Sequence, residues 1–375
     1  MGDDAFQWLR SGDEAYAAML AAIAEARHSL RLETYIFTDS AVGRQLRDGL
    51  VEACRRGARV QVLLDAFGSL NLPESFWAPL VQAGGDFRWF NPLDLKRFTF
   101  RDHRKLLICD ERLAFVGGYN IAPEYQGDGV TQGWRDLGLK LSGPQAEDLA
   151  FAFDAMFARA DLQHPTFTRW RKSAARRAVP RPDSELLLSG PGRGRNAIKR
   201  ALLADLAQAR RVQIIAAYFL PAGRVRRALL QVARRGGLVQ LVLPGKTDVP
   251  IARVASHGLY QRFLRSGVEI YEYQPQILHT KLIVVDNACY AGSANLDTRS
   301  LHINYEIMLR LTQPAVVAEA GAIFGDHLRL SRRISRRTWR ASRTFWNKLK
   351  EWWAALLLGR LDRLVMRWQL RRWRR

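Results

Sequence analysis

Two stretches of this 375-residue chain carry side chains suited to phosphoryl chemistry. The first, from His103 to Asn120, reads HRKLLICDERLAFVGGYN, and the second, from His279 to Glu306, reads HTKLIVVDNACYAGSANLDTRSLHINYE. Each opens with His-x-Lys, runs through an apolar strand-like segment to an aspartate (Asp110, Asp286), and turns at two small residues before an asparagine (Asn120, Asn295). Side chains alternate along a strand, so His103 shares a face with Lys105, and His279 with Lys281. An imidazole can attack phosphorus or shuttle a proton, while an ammonium and an amide hold non-bridging oxygens. A single His-x-Lys arises often by chance, but two matched copies with Asp, a small pair and Asn in order do not.

The elements that must position these residues are duplicated too. Arg55-Arg56-Gly57 and the following VQVLLD match Arg234-Arg235-Gly236 and VQLVLP at an offset of 179, and the two histidines stand 176 apart. Such self-similarity marks an internal repeat. Periodicity predicts a helix over 13–28, capped by Ser11 or Asp13, then a strand LRLETYIF, a helix over 41–56 and a strand over 60–67. FRWFNP (87–92) and WRDLGLKLSGP (134–144) read as further strands. The second half repeats the plan with a helix over 197–210, a strand over 212–221, a helix over 225–236 and a strand over 239–248. Alternating strands and helices argue for an α/β layer with a largely buried sheet. The Arg- and Pro-rich stretch 168–184 reads as an exposed linker.

Composition is globular, with 48% apolar and 25% charged residues, and the length suffices for two cores. Cys54, Cys109 and Cys289 lack metal-ligand spacing and read as buried free thiols. The acidic start MGDDAFQWLR has no signal-peptide character, and no run approaches the roughly 18 apolar residues of a spanning helix. Net charge is +22, and residues 331–375 hold 15 Lys/Arg against two acids, more than half the excess. Such a segment seeks phosphates on nucleic acid or on an anionic membrane. Within it Trp346, Leu349, Trp353, Leu356, Leu357, Leu361, Leu364 and Trp368 recur at spacings of three and four. A Trp-rich basic amphipathic helix suits a lipid interface, the alternative being a helix packed on the body.

Together the two motifs resemble those of the phospholipase D superfamily. The Gly117-Gly118 pair of the first copy and SANLDTRSLHIN of the second resemble bacterial cardiolipin synthases, in particular the short type without transmembrane helices. The resemblance covers roughly residues 10–330. One departure is that five residues separate Asp286 from Gly292 where the first copy has six between Asp110 and Gly117. A shortened hairpin there is expected to shift Ser293 and Asn295.

The resemblance implies an α/β fold of two duplicated phospholipase D-like halves, 1–167 and 185–330, packed about a pseudo-twofold axis, with a basic amphipathic helical tail over 331–375. It implies a phosphatidyltransferase that makes cardiolipin from phosphatidylglycerol by a ping-pong reaction through a phosphatidyl-histidine. His103 is taken as nucleophile and His279 as acid and base, with Lys105 and Lys281 on the phosphate and no metal or cofactor. Asp110 and Asp286 complete the motif set and read as turn-forming residues. Asn120, Ser293 and Asn295 are candidates for phosphate binding or support. Asp136 and Glu306 are candidates to orient the histidines, a surface role being the alternative. Glu33-Thr34-Tyr35 and Ala217-Tyr218-Phe219 are expected at matching strand ends lining the mouth. Arg299 and Ser300 suit a headgroup phosphate, although a helix cap also accounts for Ser300. A hydrolase using the same residues is the nearest rival. A nuclease of the same superfamily is another, but the Trp-rich tail argues against nucleic acid as partner. The partner expected is an anionic phospholipid membrane, on the cytoplasmic face of a bacterial inner membrane, and no protein partner is legible.

Overall fold

A computed structural model of the chain describes residues 5–92, 99–160, 178–191 and 196–358. Its first sheet holds β1 (Ala5–Leu9), β2 (Ser29–Thr34), β3 (Arg59–Asp65), β4 (Asp86–Phe90), β5 (Leu106–Cys109), β6 (Leu113–Gly117) and β7 (Gly138–Ser142). The second holds β8 (Ala178–Pro180), β9 (Ser184–Ser189), β10 (Arg211–Ala216), β11 (Leu238–Pro244), β12 (Glu269–Tyr273), β13 (Lys281–Val285), β14 (Ala288–Gly292), β15 (Glu306–Leu311) and β16 (Ser331–Ile334). The first runs β1-β7-β6-β5-β2-β3-β4, and the second contains the same order, β9-β15-β14-β13-β10-β11-β12, with β8 and β16 added at its edges. The duplication thus extends to β1 and β9. In both copies the β2-β3-β4 equivalents are parallel and the motif strands antiparallel.

The central strands are near-continuous apolar runs because both faces of each sheet are covered. On one face of the first sheet lie α1 (Gly12–Glu25), α2 (Ala41–Arg55) and α3 (Ala78–Gln82), which share a core with Leu32, Val62 and Leu107. α4 (Pro144–Phe157) sits on the other face. In the second half α5 (Ala197–Gln208), α6 (Gly223–Arg234) and α7 (Pro250–Arg265) play the first role, and after the short α8 (Thr298–His302), α9 (Pro314–Arg329) plays the second. A third core, with Phe153, Leu139, Leu282, Leu309 and Phe324 among its members, joins the inner faces of the halves. Ser11 caps α1, its hydroxyl accepting the Glu14 N–H. Cys109 and Cys289 are buried, Cys54 is partly so, and all three are free thiols. Among the described residues no helix is long and apolar enough to cross a membrane.

Four expectations are corrected. The end of the proposed linker is ordered, because β8 and the first residue of β9 lie within 178–184 and pair into the second sheet. Most of the remainder of that linker falls outside the described residues. At the other end, 331–334 form β16 against β12, so the second sheet reaches past 330. The tail then continues as α10 (Arg336–Ala341) and α11 (Phe345–Leu356), and α11 packs along α7. The face α11 buries is centred on Ala354 and on Glu351, which is paired with Arg343, rather than on the Trp stripe. Trp346 and Trp353 stay exposed while Leu349 and Leu356 turn partly inward. Leu361, Leu364 and Trp368 lie outside the described residues.

The shortened hairpin has no downstream effect. Cys109 pairs with Leu113 across three turn residues, whereas Val285 pairs with Ala288 across two. The missing residue is absorbed in the turn, and Gly117 and Gly292 keep equivalent places opposite Gly138 and Met308. Each turn aspartate takes a left-handed conformation, φ 52° at Asp110 and 47° at Asp286, a region that Asp tolerates. The Asp110 carboxylate accepts the backbone N–H groups of Arg27, His28 and Ser29 at 2.7–2.9 Å. Asp286 accepts those of Arg210 and Arg211. Both carboxylates therefore pin the motif hairpin to the start of the neighbouring strand, and neither lines the site cavity described below. Partial burial of Asp110 opposes its charge, but the three N–H bonds outweigh this and hold its pKa below the usual carboxylate range. We expect Asp110→Ala to lower stability by about 1–3 kcal/mol in urea titrations. Because the folded pKa is depressed, this contribution is present above the unfolded value and fades as pH falls through the folded one. The variant should therefore show a shallower acid limb than wild type, and equal limbs would contradict the pinning role.

Candidate active site

Each half delivers a carboxyl group to the histidine of the other half. Asp102 bridges to Tyr305, the His103 N–H donating to the Tyr305 carbonyl at 3.0 Å and the Tyr305 N–H to the Arg101 carbonyl at 2.9 Å. The dyad-related bridge joins Arg135 to Leu278, where the His279 N–H donates to the Arg135 carbonyl at 2.7 Å. Residue 306 follows Tyr305 and residue 136 follows Arg135. Glu306 Oε2 consequently lies 3.0 Å from His103 Nδ1, and Asp136 Oδ2 lies 2.6 Å from His279 Nδ1. With Nδ1 donating to the carboxyl, the lone pair of each imidazole sits on Nε2.

The two carboxyl groups are supported differently. Glu306 Oε2 also receives the Ser293 hydroxyl at 2.5 Å, and Ser293 in turn accepts the Ile307 N–H. The equivalent of Ser293 is Gly118, where a Cβ would stand 2.1 Å from Asp136 Oδ1. The shorter acid thus goes with a glycine and the longer with a serine. This places Ser293 as a support of Glu306. Asn120 is equally committed, accepting the Ile36 N–H and donating to the Tyr125 hydroxyl at 2.6 Å. Its counterpart Asn295 is 4% exposed, lines the cavity, and has an Oδ1 without a partner.

The cavity holds about 360 Å³ and is lined by His103 and His279 with Tyr35, Tyr125, Trp134 and Tyr218. Tyr35 meets the His103 ring edge-on at 5.1 Å, and Tyr125 and Trp134 stand 5.3 and 5.6 Å from His279. Of the two tripeptides expected at the mouth, only Tyr35 and Tyr218 reach the cavity. They are not equivalents, because Phe37 bridges Ile121 where Phe219 bridges Leu296, matching Tyr218 with Ile36. Arg299 and Ser300 both line the cavity, and the cap of α8 is Asp297, which accepts the Ser300 N–H at 2.7 Å. Beyond the sequence reading, the lining includes Tyr125, Trp134, Arg101, Asp248 and Asn304. Trp134 and Asn304 lie close to the acids already singled out, which was the available signal.

Lys105 and Lys281 stand behind the histidines rather than on the cavity wall. Both are 4% exposed, and Lys105 donates to the His103 carbonyl at 2.8 Å as Lys281 does to that of His279. Burial lowers the Lys105 pKa to about 7 and also lowers that of Lys281. Burial brings His103 down to about 4 and lowers His279 as well, despite the acid beside each. Glu306 is buried too, yet His103, Lys105 and Ser293 hold it below the ordinary glutamate range. Both imidazoles are therefore neutral near pH 7. Below the first histidine the halves differ: Glu33, Asp102 and Arg104 are all buried where the second half has Ile215, Leu278 and Thr280.

The cross-half pairing predicts a titration effect. Glu306→Ala removes the charge that raises the His103 pKa, so His103 should titrate below its value of about 4. Its fixed Nδ1–H tautomer should also be lost. Nitrogen-15 NMR of labelled histidine reads both changes, and an unaltered His103 signal would rule the pairing out.

A family model described as "Cardiolipin synthase, PLD-like domain" matches residues 19–128 and 202–328. Over 315 residues the chain is 36% identical to "Cardiolipin synthase B" of Salmonella typhimurium, covering 81% of this chain and 75% of that one. It is 35% identical over 308 residues to "Cardiolipin synthase B" of Escherichia coli K12, covering 80% and 74%. The crystal structure of phosphatidylserine synthase from Haemophilus influenzae superposes with a TM-score of 0.76 at 14% identity, over 96% of this chain and 94% of that one. The last likeness is one of fold. With its two matched motifs, their crossed carboxyl partners and these relatives, the chain belongs to the cardiolipin synthase family of the phospholipase D superfamily.

Proposed function

We propose that this protein is a cardiolipin synthase that transfers a phosphatidyl group from phosphatidylglycerol to a second phospholipid through a phosphatidyl-histidine. The observation that carries the reading is the pair of neutral histidines facing one cavity, each tethered through Nδ1 to a carboxyl of the opposite half. His103 Nε2 attacks the donor phosphorus, and the bond from phosphorus to the glycerol headgroup oxygen breaks. His279 Nε2 gives that oxygen a proton, so glycerol leaves neutral. The substrate phosphodiester supplies the negative charge that lets His279 carry this proton in the complex. His279 then takes the proton from a headgroup hydroxyl of the second lipid, whose oxygen attacks phosphorus and frees His103. With two phosphatidylglycerols the products are cardiolipin and glycerol.

Lys105 and Lys281 lie behind the imidazoles, where their positive charge stabilises the negative charge that builds up on the phosphoryl oxygens. The unpartnered amide oxygen of Asn295 offers an acceptor to a substrate hydroxyl. Arg101 and Arg299 on the cavity wall suit the second lipid's phosphate. The enzyme works at the surface of an anionic membrane, on the cytoplasmic face of the bacterial inner membrane, in contact through its basic Trp-rich C-terminal segment. That setting disfavours water as acceptor, which would make the protein a hydrolase.

Headgroup-labelled phosphatidylglycerol vesicles incubated with the protein should yield cardiolipin and free glycerol. Phosphatidic acid in place of cardiolipin would show water to be the acceptor. His103→Ala and His279→Ala should each abolish turnover, and retained activity in either would sink the mechanism. His103 must be neutral to attack, so the acid limb of kcat/KM set by it should lie near pH 4, below that of an ordinary histidine.

A further inference from the structure

The loops that follow β3 and β11 are dyad counterparts, since β2 and β3 begin their pairing at Ser29 and Arg59 as β10 and β11 do at Arg211 and Leu238. In the first loop Phe67 and Leu70 are 50% and 58% exposed. This loop adjoins the cavity. The Ser69 hydroxyl accepts the Phe37 N–H and donates to the Tyr35 carbonyl, and the Arg101 guanidinium lies over the Phe67 ring at 5.2 Å. Tyr35 and Arg101 are both cavity walls. In the second loop Asp248 accepts the Tyr218 hydroxyl at 2.6 Å, and Val249 and Ala252 line the cavity. Between those two lies Ile251, 39% exposed.

The C-terminal segment extends this second flank. α11 lies along α7, close enough that a Cβ on Gly258 would stand 3.4 Å from the Glu351 side chain. Leu358, just past α11, is itself a cavity wall. On its outer side α11 exposes Trp352 and Trp353, both at 57%. Apolar side chains thus lie on both sides of one opening, on loops related by the dyad.

We propose that these two flanks form a single docking rim for an anionic phospholipid bilayer, with Phe67 and Leu70 the insertion point of the first half and Ile251 with α11 that of the second. This rests on the membrane reading above and goes beyond it in placing a contact on the half remote from the tail. A bilayer is the occupant that fits. Large aromatic and aliphatic side chains stand beside bases, with Arg336, Arg337, Arg340, Lys348 and Lys350 flanking or lying within α11, and the protein as a whole carries +22. A rim pressed into the interface opens the cavity onto lipid headgroups, so acyl chains remain in the bilayer while the phosphate reaches the histidines.

The test is cosedimentation of the full chain with vesicles of phosphatidylglycerol mixed with phosphatidylcholine, comparing wild type with the double variant Phe67→Ser/Leu70→Ser. Wild type should bind, and the variant should lose roughly tenfold or more in partition coefficient. Turnover of a short-chain, monomerically dispersed phosphatidylglycerol should be unchanged in the variant, which also reports that it is folded. Partition equal to wild type would overturn the rim. So would loss of binding accompanied by loss of turnover on the dispersed lipid, or sedimentation as a dimer held by the same residues. Binding is read without catalysis, and circular dichroism with a thermal melt reports folding of the variant independently of turnover, so failure of the transferase reading leaves the result interpretable.

Discussion

Two short backbone exchanges between the halves hold the whole site in place. At one, residues 101–103 run beside Tyr305, and at the other, residues 277–279 run beside Arg135. Neither exchange belongs to a long ladder, yet each fixes an imidazole and the opposite half's carboxyl at the same time. Everything else can be seen as support for these two crossings. The inner core shared by both sheets sets the separation of the halves, and the turn aspartates tie the far end of each motif strand to the start of its neighbour. Covering both faces of each sheet excludes water from the bases beneath. A site of this kind is rigid because its parts are over-determined from two directions, as preorganised electrostatic catalysis requires.

Dryness has an electrostatic cost that the site turns to use. Two lysines and two histidines share one buried space, and burial pushes all four towards their neutral forms. Glu306 keeps its charge only because His103, Lys105 and a serine hydroxyl surround it. An anionic group in the cavity would favour the charged forms that burial disfavours, so the site suits an anion better than it suits being empty. The buried trio of Glu33, Asp102 and Arg104 below His103 has no counterpart under His279. Two otherwise matched histidines therefore sit in unequal fields, consistent with unequal roles in a two-step reaction.

Much of this was legible in the sequence, and the limits have physical causes. The repeated His-x-Lys strands and the offset between VQVLLD and VQLVLP are local patterns, and the expected helices and strands are present, although the strands end earlier than their apolar runs suggest, β10 at Ala216 and β11 at Pro244. Asp136 and Glu306 were within reach as acids trailing the motifs, but their exchange between halves is a property of packing. β1 is not legible in the sequence, because AFQWL at a sheet edge has no partner visible there. Helices α4, α7 and α9 each open on a proline (Pro144, Pro250, Pro314), a start signal carried by the sequence itself. The spacing of the Trp stripe suits a helix lying on lipid, with packing on the body as the alternative, and does not say which face would pack. In the fold, close approach at Gly258 favours Ala354 and the Glu351–Arg343 pair at the contact, and the tryptophans stay outside. Tyr35 and Tyr218 line the same cavity from non-equivalent positions, which no alignment of the two tripeptides would reveal.

The pairing of Gly118 with Asp136 and of Ser293 with Glu306 bears on how the two copies have diverged. Within one half, the residue after the hairpin glycine and the acid on the next strand compete for the same volume, so neither is free to change alone. A glutamate at 136 would need different room, and a side chain at 118 would displace the acid already there. Each acid serves the other copy's histidine, so an ill-matched change in one copy disables a residue that the other encodes. Drift between the repeats is thus constrained to coordinated exchanges, and a half expressed by itself would carry a histidine whose partner was left behind.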